Sequence, residues 1–199
     1  MHPRIDEILD EILKTEGGFV DDPDDPGGAT NHGISLRYAR KRGIVFDLDG
    51  DGDVDADDIL LVTPELARKF YLLDFYETPK IDHLPLDLQA VVFDMAINAG
   101  PERAVMLLQE VLNDVREVAP DIGMKAIAED GKIGPRTLYA MHQAHQVMGP
   151  WLVNAYVDAR IGYYRYLAER NPKFRKYVVN RRGGPGGWIV RAENFRVET

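Results

Sequence analysis

The chain has 199 residues and a mass of 22.5 kDa, enough for one large domain or two small ones burying roughly 70% of the unfolded surface. Hydrophobic residues at 45% and charged residues at 29% exclude disordered, collagen-like and low-complexity classes. The absence of cysteine excludes disulfides, thiolate metal sites and a cysteine nucleophile, and the net charge of −9 is uneven: residues 47–58 hold seven aspartates, while residues 160–191 hold nine Lys/Arg against one acid, Glu169.

The N-terminal stretch MHPRIDEILDEILK carries acids every few residues and no apolar core of a signal peptide, and no run of 18 apolar residues follows. The expectation is a protein made in a host cytoplasm without a signal peptide, acting in the periplasm or cell wall after release. Ile5, Ile8, Leu9, Ile12 and Leu13 repeat at i, i+3, i+4, i+7, i+8, which predicts an amphipathic helix. Continuing that face three residues reaches Glu16, and Gly17-Gly18 then stops the helix. A carboxylate on an apolar face, at the negative end of a helix dipole, is disfavoured in its ionised form, as a general acid requires. A solvated C-terminal glutamate is the other reading of this position.

Residues 16–34 read EGGFVDDPDDPGGATNHGI, a glycine- and proline-rich path with a second carboxylate at Asp25 and a hydroxyl at Thr30. Next comes the acidic stretch Asp47 to Asp58. Aligned on a twelve-residue EF-hand loop, Asp47, Asp49, Asp51, Asp55 and Asp58 take positions 1, 3, 5, 9 and 12. Gly52 takes the turn position, Asp53 offers its backbone carbonyl, and Val54 anchors the loop to the core. This predicts a calcium site. Asp58 in place of the usual glutamate resembles dockerin-type loops. A single loop without a partner hand is expected to act as a structural staple rather than a sensor.

Thr63-Pro64 opens a further helix. Leu84 to Ala99 is apolar nearly all round, interrupted by Asp87, Gln89, Asp94 and Asn98, and so is predicted to be a buried helix. Two readings stand for Asp94 and Asn98: they line a substrate cleft, or they form a hydrogen-bonded buried pair. Gly134-Pro135 starts a helix carrying His142 and His145, read as surface histidines rather than a zinc site. Residues 150–169 form a long helix whose tyrosines, 156, 163, 164 and 166, are read as core in preference to a sugar platform. The basic end from Arg170 to Arg191 is expected to meet anionic envelope lipids; no base-reading motif points to nucleic acid.

The order Glu16, Asp25, Thr30 resembles the Glu/Asp/Thr constellation of phage-type lysozymes, where the glutamate protonates the glycosidic oxygen and the other two hold water on the opposite ring face. More specifically, EGGFVDDPDDPGGATNHGIS resembles the signature of glycoside hydrolase family 108, the N-acetylmuramidases of phage endolysins and bacterial secretion-activator proteins. The match runs through Glu16, Gly17, Gly18, Asp22, Pro23, Asp25, Pro26, Gly27, Gly28, Ala29, Thr30, Gly33 and Ile34, with Phe19 where tyrosine is usual. The resemblance implies an all-α, lysozyme-like fold with the calcium loop as an insertion, and Glu16 as the catalytic glutamate. Asn31, Tyr76, Asp94 and Asn98 are the expected substrate contacts; Phe75-Tyr76 replaces the family's usual Tyr-Trp. Segments 99–109, 130–138 and 187–191 resemble the peptidoglycan-binding region that follows this catalytic region. The expected organisation is 1–95 catalytic and 96–199 wall-binding, packed as one body and monomeric. The expected activity is hydrolysis of the β-1,4 bond between N-acetylmuramic acid and N-acetylglucosamine. A lytic transglycosylase using Glu16 alone, and a non-catalytic calcium-stabilised wall-binding module, are the rival readings.

Overall fold

A computed structural model describes residues 3–21 and 28–198, with Thr15 and Glu16 as backbone. Among the described residues the chain is all-α apart from one two-stranded ribbon, as expected of a lysozyme-like fold. It divides into two compact units, Pro3–Asp74 and the chain from Phe75 onward. No described helix is long and apolar enough to cross a membrane.

In the first unit, α1 (Pro3–Glu16) buries Ile5, Ile8, Leu9 and Ile12, the stripe that the 3.6-residue period predicts. Gly17, at φ 73°, turns the chain out of the helix in the left-handed region open to glycine. The strands β1 (Thr30–Asn31) and β2 (Ile34–Ser35) pair antiparallel around a tight turn at His32-Gly33. Ser35 caps α2 (Leu36–Arg42) by accepting the Tyr38 N–H. A 3₁₀ turn, Gly43–Phe46, delivers the chain to the aspartate loop, which ends at α3 (Ala56–Leu61). Thr63 caps α4 (Pro64–Leu72), with Pro64 in the first turn as expected. α1 and α4 are clasped by Arg68, which reaches Asp6 at 2.6 Å and Asp10 at 2.7 Å. Phe46 is fully buried against Phe70, ring centroids 4.3 Å apart, and both meet Tyr38 edge-on. This aromatic trio forms the floor from which the aspartate loop projects.

The second unit is built on α5 (Leu86–Ala99), apolar on every side as the sequence indicates: Leu88, Val91, Val92, Phe93, Met95 and Ala96 are all without exposure. α6 (Pro101–Val118) and α8 (Trp151–Arg170) pack on it and on each other. α7 (Pro135–Met148) lies against α6 and α8, while α9 (Arg175–Val178) and α10 (Gly187–Glu193) close over α8. Trp188 holds that end together, stacked on Tyr177 at 4.7 Å and tilted against Tyr164 and Phe174.

Candidate active site and aspartate loop

Glu16 is the last residue of α1. The chain turns at Gly17, and Val20 then pairs with Thr30 through two 2.8 Å backbone hydrogen bonds, Val20 N–H to Thr30 O and Thr30 N–H to Val20 O. Two members of the expected constellation are therefore joined by a short covalent and hydrogen-bonded path. Asp25, the third, lies outside the described residues. The Thr30 hydroxyl donates to Gly28 O at 3.3 Å, a long bond.

Asn31, expected to contact substrate, lies on β1. It is 5% exposed, and its carboxamide nitrogen lies within hydrogen-bonding distance of Ile59 O (3.0 Å), Leu60 O (3.3 Å) and Val62 O (3.1 Å). Those carbonyls belong to the end of α3, where helix acceptors lack internal partners. The side chain caps the C-terminal end of α3.

The aspartate loop is organised by its own carboxylates. Asp47 accepts the N–H of Gly50 (2.8 Å) and Gly52 (3.2 Å), Asp49 that of Asp51, Asp51 that of Asp53, and Asp55 that of Asp57. Gly52 supports the sharp turn at φ 98°. Asp58 is 1% exposed and gathers the N–H groups of Leu48 (2.6 Å), Asp49 (3.3 Å) and Asp55 (2.8 Å) while completing a capping box with Asp55 on α3. Burial alone would raise the Asp58 carboxyl, but the Asp55, Leu48 and Asp49 amides hold it below its ordinary value. Asp53 is raised, first by the charge of Asp51 and then by desolvation and Asp55. Carboxylate oxygens of Asp47, Asp49 and Asp58 lie within 4.8 Å of one another, as do those of Asp53, Asp55 and Asp58. Among the described residues these two trios share Asp58; Asp51, expected as a ligand, belongs to neither, and its carboxylate accepts the Asp53 N–H at 3.1 Å.

The other expected substrate contacts, Tyr76, Asp94 and Asn98, lie in the second unit. Tyr76 is 4% exposed; its hydroxyl donates to Gln89 Oε1 at 2.5 Å and its ring meets Phe93 edge-on. Gln89 in turn donates to the carbonyls of Asp82 and Leu84, so the tyrosine is spent on anchoring the entry to α5. Asp94 is 1% exposed, with Arg160 at 2.5 Å and Arg191 at 2.6 Å. Asn98 is exposed and reaches back to the Asp94 carbonyl at 3.0 Å and its carboxylate at 3.5 Å. Of the two readings of this stripe, the structure bears out the buried, hydrogen-bonded one for Asp94. Tyr156 is also core, donating to Ala104 O, whereas Tyr166 is half exposed. His145 pairs with Asp87 at 2.9 Å and belongs to no metal-binding group among the described residues.

Comparison with known proteins bears on both halves. Residues 9–100 match the family model described as Glycosyl hydrolase 108, and residues 103–193 match a second, described as Predicted Peptidoglycan domain. A solved structure of SagA from Brucella abortus is similar, with 27% identity, a TM-score of 0.59, and coverage of 96% of this chain and 91% of that one. No curated protein sequence matches. The two matches together define a glycoside hydrolase that acts on peptidoglycan. The chain carries a glycosyl hydrolase 108 region over residues 9–100.

Proposed function

We propose that the protein is a muramidase that cleaves the β-1,4 bond between N-acetylmuramic acid and N-acetylglucosamine. The observation that carries this is the Val20–Thr30 clamp, which returns Thr30 to the chain just beyond the helix end that carries Glu16. In this reading Glu16 donates its proton to the glycosidic oxygen as the bond to C1 breaks. Asp25 and Thr30 orient a water molecule on the opposite ring face, and Asp25 takes the water's proton as its oxygen attacks C1. Room for that water needs carboxyl groups about 6.5–9.5 Å apart and inverts the anomeric centre. A general acid contributes about 10²–10⁴-fold, so Glu16→Gln should lower turnover on purified sacculi by that factor without moving the melting temperature. Near-wild-type turnover would sink the assignment. Mass spectrometry and NMR of the digest should show reducing N-acetylmuramic acid ends, first as the α-anomer. Anhydro-sugar ends would instead make Glu16 the acid of a transglycosylase.

Two further parts complete the reading. The Asp47–Asp58 loop binds calcium as a staple, since two oxygen trios converge on one buried carboxylate and the neighbouring acids repel each other in the ion's absence. The exposed cations Arg165, Arg175 and Lys176, with Val179 beside them, form a basic and partly apolar face suited to anionic envelope lipid.

A further inference from the structure

The segment between α6 and α7 has no regular structure from Gly123 to Gly134, yet it is held tightly. Gln109 on α6 is fully buried. Its carboxamide nitrogen lies near Asp130 Oδ1 (2.9 Å), Lys132 O (3.1 Å) and Thr137 Oγ1 (3.2 Å), and its oxygen accepts the Gly131 N–H (2.9 Å). One turn further along α6, Asn113 accepts the N–H of Ile127 and donates to its carbonyl, each at 3.0 Å, as a neighbouring strand would. Asn113 also lies 2.8 Å from Glu129. Met124 and Ile133 plug the segment into the core. One fully buried carboxamide and one half-buried one, both committed to a single irregular stretch of backbone, imply that its path matters.

That path forms one wall of a groove of about 620 Å³, lined by Lys125, Ala126 and Ile127 on one side and Pro135, Arg136 and Tyr139 of α7 on the other. Tyr139 is 61% exposed. Among the described residues, neither Lys125 nor Arg136 has a carboxylate partner. The groove is thus preorganised, partly apolar and cationic, with an unspent aromatic ring at its edge. Within the wall the glycan's lactyl carboxyls are tied up in amide bonds to the stem peptides, so the strand itself would use the ring but not the two charges. A peptidoglycan stem peptide uses both, because it carries free carboxylates on a short aliphatic backbone.

We propose that this groove is the stem-peptide site of the wall-binding region: Lys125 and Arg136 pair with the peptide's carboxylates and Tyr139 covers its aliphatic face. The assignment rests on the peptidoglycan-hydrolase reading above and goes beyond it in naming where, and which part of, the polymer is held.

The test uses the full chain and the variants Lys125→Gln with Arg136→Gln, and Tyr139→Ala. All three positions are exposed, so each variant should melt as the wild type does. Binding is measured by co-sedimentation on ice with intact sacculi and with the same sacculi stripped of stem peptides by an amidase, the lactyl carboxylates so freed being capped chemically as neutral amides. The double variant should bind intact sacculi about tenfold more weakly, the loss of charge-assisted hydrogen bonds, and bind stripped glycan as the wild type does. Tyr139→Ala should show the same selectivity. Unchanged binding to intact sacculi would overturn the assignment, and so would an equal loss on both polymers, which would make the groove a glycan platform. A wild-type protein that neither binds nor digests sacculi would overturn the hydrolase reading and the groove together. A wild type that digests them while the variants bind equally well overturns the groove alone.

Discussion

Replacing Asp94 by asparagine separates the two roles that its place in the sequence leaves open. The change keeps the shape and one acceptor but removes the only carboxylate placed against Arg160 among the described residues, a guanidinium that is 0% exposed, and leaves Arg191 half paired. Arg160 has little else: its Nε donates to the Tyr164 hydroxyl at 2.9 Å, its guanidinium lies over the Tyr164 and Phe195 rings, and its Nη1 has no partner. A guanidinium does not shed its proton, so the charge stays and its burial goes uncompensated. Removing one partner of a buried pair costs about 3–5 kcal/mol. At roughly 2–4 °C per kcal/mol for a chain of this size, the melting temperature should fall by about 6–20 °C. Calorimetry and urea unfolding measure the loss; turnover per folded molecule, assayed well below the new midpoint, should stay within about twofold of wild type. Asp94→Leu combined with Arg160→Met should recover much of the loss, because an apolar pair of similar volume needs no charge balance. An Asp94→Asn protein that melts like the wild type but no longer cleaves sacculi would refute this reasoning and return Asp94 to the substrate.

Two other predictions follow from charge. Ligand linkage gives about 2.7 kcal/mol for an ion at 100 times its dissociation constant, so chelating calcium should lower the midpoint by about 5–10 °C with activity at low temperature retained. Asp47→Ala with Asp49→Ala should mimic chelation and abolish its further effect, and a melting curve indifferent to chelator would show an empty loop. Vesicles containing anionic phospholipid should sediment the protein at low salt and release it as salt rises; Arg175→Glu with Lys176→Glu should abolish that binding but leave cleavage of sacculi intact, and equal sedimentation with neutral vesicles would exclude a charge-driven contact.

The period of Ile5, Ile8, Leu9 and Ile12 fixes α1 and the position of Glu16 before any coordinates, and the unbroken apolar run of α5 marks it as a central helix. The aspartate spacing likewise announces a loop that wraps on itself. Roles that depend on distant partners are different. Asp94 meets Arg160 and Arg191 across 66 and 97 residues of sequence, and nothing local tells a polar stripe facing solvent from one facing two arginines. Asn31 sits inside a motif that reads as catalytic, while its side chain serves carbonyls 28–31 residues away. Tyr76 stands where a sugar-stacking aromatic is expected, yet Gln89, thirteen positions on, claims its hydroxyl. The groove at Lys125, Arg136 and Tyr139 escaped sequence reading for a related reason: its wall has no period, and only the pairing of Gln109 and Asn113 with it reveals order.

That pairing has a consequence for how the family can vary. Asn113 grips Ile127 through backbone atoms, and Gln109 grips Gly131 and Lys132 through backbone atoms. The side chains at 125, 126 and 128 take no part in holding the segment, so they are free to change without altering its course. Recognition and folding are thereby written in separate letters: α6 specifies the track, and the outward residues specify what rides on it. A lineage meeting a wall of altered peptide chemistry could substitute at Lys125 or Ala126 one residue at a time, each step leaving a folded protein.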